Sequence, residues 1–175
     1  LRPELAGSRV WEPYAGGGAF CRALVGHGAY VFASDIDPAA PALGGPMSCL
    51  ADASKGWPLD CARPDWIVSN PPFSTLDEHL PVLLDNAQAG VAMLLIGQWL
   101  APGARDWLWD TATPDETLWL RERVAFEGPG RDGKSTDARE YAWVIWRRNA
   151  EGWHGRGLVG RLSWQTGRTW RRGEA

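Results

Sequence analysis

Residues 66–73 read WIVSNPPF, and the change of character inside that stretch decides how the chain folds. Trp66 to Ser69 form a short apolar run of strand length. Asn70, Pro71, Pro72 and Phe73 follow, and the two prolines remove two backbone donors and fix two φ angles where the chain leaves the strand. Residues 76–88 then suit a helix. A strand, a stiffened turn and a helix make one unit of an α/β fold with a largely parallel sheet.

The same unit recurs on both sides. Upstream, residues 9–12 (RVWE) predict a first strand, GGG at 16–18 its turn, and 19–27 a helix that stops at Gly28. YVFAS at 30–34 predicts a second strand, and a third is expected near 47–51. Downstream, VAMLLI at 91–96 is a continuous apolar run, as a strand buried on both faces requires. Pro102 suits the start of a helix reaching about Thr111. Residues 119–126 and 141–146 are expected to pair as a closing antiparallel couple, with the polar loop EGPGRDGKSTDARE between them expected to be mobile.

Composition narrows the possibilities. A chain of 175 residues, 45% hydrophobic, suits a single domain over 1–175. No apolar run approaches the roughly 20 residues that cross a bilayer, and LRPELAGSRV lacks the layout of a secretory signal, so a soluble, cytoplasmic protein is expected. Cys21, Cys49 and Cys61 are odd in number and include no C-x-x-C pair, which argues against a disulfide framework and a zinc site. The cysteines are expected in the core, the scattered His27, His79 and His154 at the surface, and no metal site is expected. Residues 1–100 carry five Arg/Lys against ten Asp/Glu, whereas 139–175 carry eight arginines against three acids. The segment 147–175 is thus a basic, Arg/Trp-rich C-terminal stretch.

Three motifs fall at the C-terminal ends of successive predicted strands, the edge at which open α/β sheets bind ligands. Glu12-Pro13-Tyr14-Ala15-Gly16-Gly17-Gly18 offers a tight turn and close backbone N–H groups beside a helix start, suited to a carboxylate or phosphate. Cys21 stands where the dinucleotide pattern has its third glycine, which disfavours NAD. In ASDIDP, Asp35 directly follows an apolar run and suits the hydroxyls of a ribose, with Ile36 against an adenine face; Asp37 before Pro38 reads as a helix cap. Asp52, in LADAS, suits an adenine amino group. The third motif is Asn70 to Phe73. Its Asn70 side-chain oxygen and Pro71 carbonyl can accept the two N–H bonds of an exocyclic amine, freeing a lone pair that the ring otherwise delocalises. Fixed acceptors need no reorientation as charge develops, and Phe73 can stack on a base drawn from its duplex.

In their order and spacing, VWEPYAGGGAF, ASDIDP, LADAS and IVSNPPF resemble the S-adenosylmethionine-dependent amino-methyltransferases, nearest to adenine-specific DNA enzymes of short phage and bacterial type. The likeness covers roughly residues 8–96. It implies a Rossmann-like class I methyltransferase fold, a seven-stranded, mostly parallel sheet whose last strand is antiparallel. It implies S-adenosylmethionine as cofactor, with Glu12, Pro13, Tyr14, Ala15, Gly16 and Gly18 at its methionine part, Asp35 and Ile36 at its ribose and adenine, Asp52 and Ala53 at its adenine, and Asn70 also on the cofactor side. Asn70, Pro71, Pro72 and Phe73 would hold the target amine, adenine in DNA being the expected substrate. Cytosine amine, RNA adenine and glutamine amide are alternatives, as is a non-catalytic nucleic-acid-binding module of the same fold.

Two further patterns need weighing. Residues 128–135, GPGRDGKS, match the P-loop string letter for letter, but no helix fits between Ser135 and the strand-like YAWVIW, so an NTPase is disfavoured. Arg131 and Lys134 of this loop, with Arg147 and Arg148, are expected to reach a nucleic-acid backbone, since tryptophans interleave with arginines towards the C-terminus, a plain solvated hairpin being the alternative for the loop.

Overall fold

The structure is a computed structural model that describes residues 3–100, 105–128, 131–136, 139–150, 152–162 and 169–171. The chain divides into two compact units, Leu1–Met93 and Leu94–Ala175.

The strands β1 (Arg9–Glu12), β2 (Tyr30–Asp35), β3 (Ser48–Leu50) and β4 (Trp66–Ser69) of the first unit and β5 (Gly90–Ile96), which begins in it and runs past its boundary at Met93, lie in the order β5-β4-β1-β2-β3. Every pairing among them is parallel. Their C-terminal ends therefore share one edge. All four residues of β4 are buried, as are the first six of β5, which is what apolar strands covered on both faces need. Trp66 pairs with Gly90 across β4 and β5, and a Cβ at Gly90 would fall 2.3 Å from the Trp66 ring. The indole thus occupies the space that any larger residue at position 90 would claim.

Two helices flank these strands. α1 (Ala19–Gly26) follows Gly18, and Gly28, at φ 84°, turns the chain just beyond it. α2 (Leu76–Asn86) buries Leu76, Leu80, Leu83 and Leu84, one stripe at helical spacing, and contains Pro81. Asp37 caps no helix. Its carboxylate accepts the Ala39 N–H at 2.9 Å in a local turn, and the short 3-10 turn beyond it begins only at Pro41.

The second unit holds α3 (Asp106–Thr111), β6 (Glu116–Leu120), β7 (Ala125–Gly128), β8 (Arg131–Thr136), β9 (Tyr141–Arg147), β10 (Leu158–Leu162) and β11 (Thr169–Arg171). β9 runs antiparallel to β6, β10 parallel to β6 and β11 antiparallel to β10. Pro102, the expected helix start, lies outside the described residues. The closing pair is real, but its first strand is displaced: β6 begins at Glu116, and residues 125–128 belong elsewhere. Acidic Glu116 reads as loop in the sequence, yet Arg147 satisfies it in the fold. Within the segment expected to be mobile, β7 and β8 form an antiparallel hairpin, whose backbone ladder needs no apolar side chains. The P-loop string thus spans a hairpin.

The cysteines are not core residues: Cys21 and Cys49 are half-buried and Cys61 is exposed. His27 and His154 are exposed as expected, whereas His79 is half-buried. No described helix is long and apolar enough to cross a membrane. No cluster of His, Cys, Asp or Glu able to hold a metal occurs among the described residues.

Candidate functional site

Because β1, β2, β3 and β4 are parallel, the fold carries Glu12, Asp35, Asp52 and Asn70 to one edge of the first unit. The register makes this concrete, with Glu12 opposite Ala33 and Asp35 opposite Leu50. Gly16 and Gly18 have φ of 46° and 75°, the left-handed region in which a side chain is strained. They curl the loop back so that Gly18 N–H reaches the Ala15 carbonyl at 2.7 Å.

Asp35 organises that loop. Its Oδ2 accepts the Gly16 N–H at 2.8 Å and its Oδ1 the Asp37 N–H at 2.9 Å. Each oxygen keeps lone-pair capacity for a further donor. Ile36 is 67% exposed and Leu50 is 60% exposed. Leu50, in register with Asp35, went unread in the sequence because it looked like an ordinary strand residue. The Ser54 hydroxyl first, and then the Ser54 N–H that Asp52 accepts at 2.9 Å, hold the Asp52 carboxyl below the usual range against the opposing effect of desolvation. Ala53 is buried.

Glu12 is unusual. It is 1% exposed, and its Oε1 accepts both the Ser69 hydroxyl and the Tyr14 N–H, whereas its buried Oε2 has no partner. Burial pushes its pKa up to about 8, against the smaller lowering effect of those two donors. Ser69, which also went unread, joins this carboxyl to the residue before Asn70. The Asn70 Oδ1 is likewise buried without a partner. Pro71 is buried, Pro72 exposed and Phe73 half-buried. Tyr14 and His79 meet through a 2.6 Å hydrogen bond. Burial first, and then the Asp52 and Glu12 carboxylates, raise the pKa of the Tyr14 hydroxyl, so it stays protonated.

The four arginine and lysine positions fall out differently. Arg131 and Lys134 lie on β8, and Arg147 at the end of β9 donates to both Asp115 and Glu116. Arg148 lies over the Trp153 ring at 5.0 Å. A groove of about 910 Å³, lined among others by Trp57, Arg63, Val82 and Asp85, touches the strand-edge motifs only at Ser54 of LADAS.

No protein-family model and no curated protein matches the chain. Solved structures do match. A candidate RNA methyltransferase of Pyrococcus horikoshii aligns at 17% identity and TM-score 0.60, over 81% of this chain and 76% of that one. A protein of Lactococcus lactis described as a candidate hemolysin aligns at 16% identity and TM-score 0.59, over 83% and 80%. A TehB-like S-adenosylmethionine-dependent methyltransferase of Corynebacterium glutamicum aligns at 14% identity and TM-score 0.53, over 80% and 79%. The fold is Rossmann-like, that of the class I methyltransferases, as the resemblance implied, but the strands exceed the seven expected and the antiparallel β9 is not the last, since β10 and β11 follow it.

Proposed function

We propose that this protein transfers a methyl group from S-adenosylmethionine to the exocyclic amine of adenine in DNA. The observation that carries the reading is the Asn70 Oδ1, buried and without a partner at the end of β4. An orphaned buried acceptor costs stability on the order of 1–3 kcal/mol, and a donor arriving with a ligand removes that cost.

The residues present fit the cofactor. Glu12 has a buried oxygen free to meet an ammonium group, Asp35 has lone pairs for ribose hydroxyls, and exposed Ile36 and Leu50 offer apolar surface to a flat ring. When bound, the cofactor supplies an electrophilic methyl on a sulfonium. Asn70 Oδ1 and the Pro71 carbonyl accept the two amine N–H bonds and orient the nitrogen lone pair. Pro71 and Pro72 keep the carbonyl fixed, and Phe73 stacks on the extruded base. With the cofactor bound, the methyl would pass to that nitrogen while sulfur kept the C–S electron pair, and Asn70 Oδ1 and the Pro71 carbonyl would hold the cationic nitrogen until one proton passed to solvent. Arg131, Lys134 and Arg148 are assigned to the nucleic-acid backbone. Arg147, engaged by two acids, orients that region instead.

Calorimetry with S-adenosylmethionine, then transfer of a labelled methyl to duplex DNA, single-stranded DNA and RNA, tests the reading. Asn70→Ala is expected to abolish transfer and leave cofactor affinity within about tenfold, because it removes a target-side acceptor. Comparable transfer by that variant refutes the role of Asn70. Transfer to RNA alone moves the substrate, and binding without transfer on any substrate leaves a nucleic-acid-binding module.

A further inference from the structure

Asn70 to Phe73 is flanked on both sides by residues that reach back to one short segment of β1 and its turn. On the near side, the Ser69 hydroxyl donates to Glu12 Oε1. On the far side, Thr75 N–H reaches the Pro72 carbonyl at 3.4 Å, and His79 N–H reaches the Thr75 carbonyl at 3.1 Å. The His79 ring then meets Tyr14, with Nδ1 2.6 Å from the hydroxyl and the two rings 3° from parallel at 5.9 Å between centroids. Tyr14 N–H closes the circuit at Glu12 Oε1, 3.1 Å away. Glu12 and Tyr14, two residues apart, therefore hold the stiff loop at both ends.

Burial first, and then the Asp52 and Glu12 carboxylates, keep the Tyr14 hydroxyl protonated, so a proton is available to bridge its oxygen and His79 Nδ1, with either group able to donate according to the imidazole tautomer. Pro13 between Glu12 and Tyr14 limits the freedom of that short span.

We propose that Tyr14 and His79 form a positioning latch that sets the reach of the Asn70 and Pro71 acceptors relative to the glycine loop; this rests on the amine-methylation reading above. The latch joins the loop expected to hold the methyl donor to the helix that follows the loop expected to hold the amine. Displacements of a fraction of an ångström between those two matter, since a misplacement of about 1 Å can cost roughly 100-fold in rate. Tyr14 and His79 are thus positioning residues, acting through the backbone of 70–75.

Amide hydrogen exchange of the full chain at Asn70, Phe73, Ser74 and Thr75 reads the latch without reference to turnover, with the β5 amides reporting that each variant is folded. Tyr14→Phe and His79→Phe each keep a ring and lose one half of the hydrogen bond. Each is expected to raise exchange at those amides about tenfold, with no further rise in the double variant, as partners in a single contact should behave. His79→Asn, which keeps an acceptor near the Nδ1 position, is expected to restore most of the protection. In parallel, kcat for methyl transfer is expected to fall about tenfold in His79→Phe while KM for S-adenosylmethionine stays within about threefold. Unchanged exchange in both single variants, or effects that add in the double variant and are not rescued by His79→Asn, overturns the latch. If the wild-type chain transfers no methyl yet shows this exchange pattern, the latch stands and the methylation reading falls. If the wild type transfers methyl and exchange is unaltered in the variants, the latch falls and the methylation reading stands.

Discussion

Glu12 in the first unit and Asp115 in the second are both buried carboxylates, and they are held in opposite ways. Glu12 has described donors that carry no charge, a serine hydroxyl and a backbone N–H, and one of its oxygens is bare. Its pKa is pushed up to about 8, by burial above all. Asp115 is only 6% exposed, and burial pushes its pKa upward too, yet the hydrogen bonds from Arg156 and Arg147 outweigh that and hold it below the ordinary carboxylate range. The contrast separates architecture from chemistry. A buried acid completed by the chain's own cations ties β6, β9 and the segment around Arg156 together, whereas a buried acid left with neutral donors has capacity for a cation from elsewhere.

The comparison can be broken most sharply at Arg147. Its guanidinium serves two buried acids, so Arg147→Met is expected to cost about 4 kcal/mol of stability, read as a lowered denaturation midpoint. An unchanged midpoint would mean that this cluster is as incomplete as Glu12.

Glu12 comes next. The proton that burial keeps on it stabilises the fold fully below about 4.5 and is lost as pH rises through about 8, because the unfolded carboxyl ionises first. Unfolding free energy is expected to fall across that window in the wild type and to stay flat across it in Glu12→Gln. The difference at the upper end should be on the order of 4 kcal/mol. A wild-type curve without that slope would place Glu12 in the same class as Asp115.

A smaller effect sharpens the functional half of the contrast. A cofactor ammonium beside Glu12 favours the ionised carboxylate, so binding of S-adenosylmethionine near neutral pH is expected to release a proton. Calorimetry in buffers of different ionisation enthalpy measures it, and Glu12→Gln should abolish it. Least of all, Arg156→Ala is expected to leave the denaturation midpoint nearly where it was, because the Arg156 side chain is 67% exposed and Arg147 still serves Asp115.

These two sites were not equally legible. The motifs around Glu12, Asp35, Asp52 and Asn70 could be read because each follows a short apolar run, and parallel strands must bring such positions to one edge. That Ser69 would join Glu12 could not be read, since a serine ending a strand looks like any other. His79 carried no mark either, being one of several scattered histidines until α2 turned it towards Tyr14. Around Asp115 the arginines were read as a basic surface, because charge along a sequence is counted without knowing which acids it meets. There the reading placed Arg147 outward, and the fold turned it onto Asp115 and Glu116.

By itself the sequence determined the alternation of strands and helices and the edge at which the conspicuous motifs lie, because apolar periodicity and turn chemistry act over a few neighbouring residues. Only the tertiary structure decided which polar atoms are buried and who meets them. Burial and pairing join residues such as Glu12 and Ser69, or Tyr14 and His79, that are far apart along the chain, and no local pattern encodes that meeting.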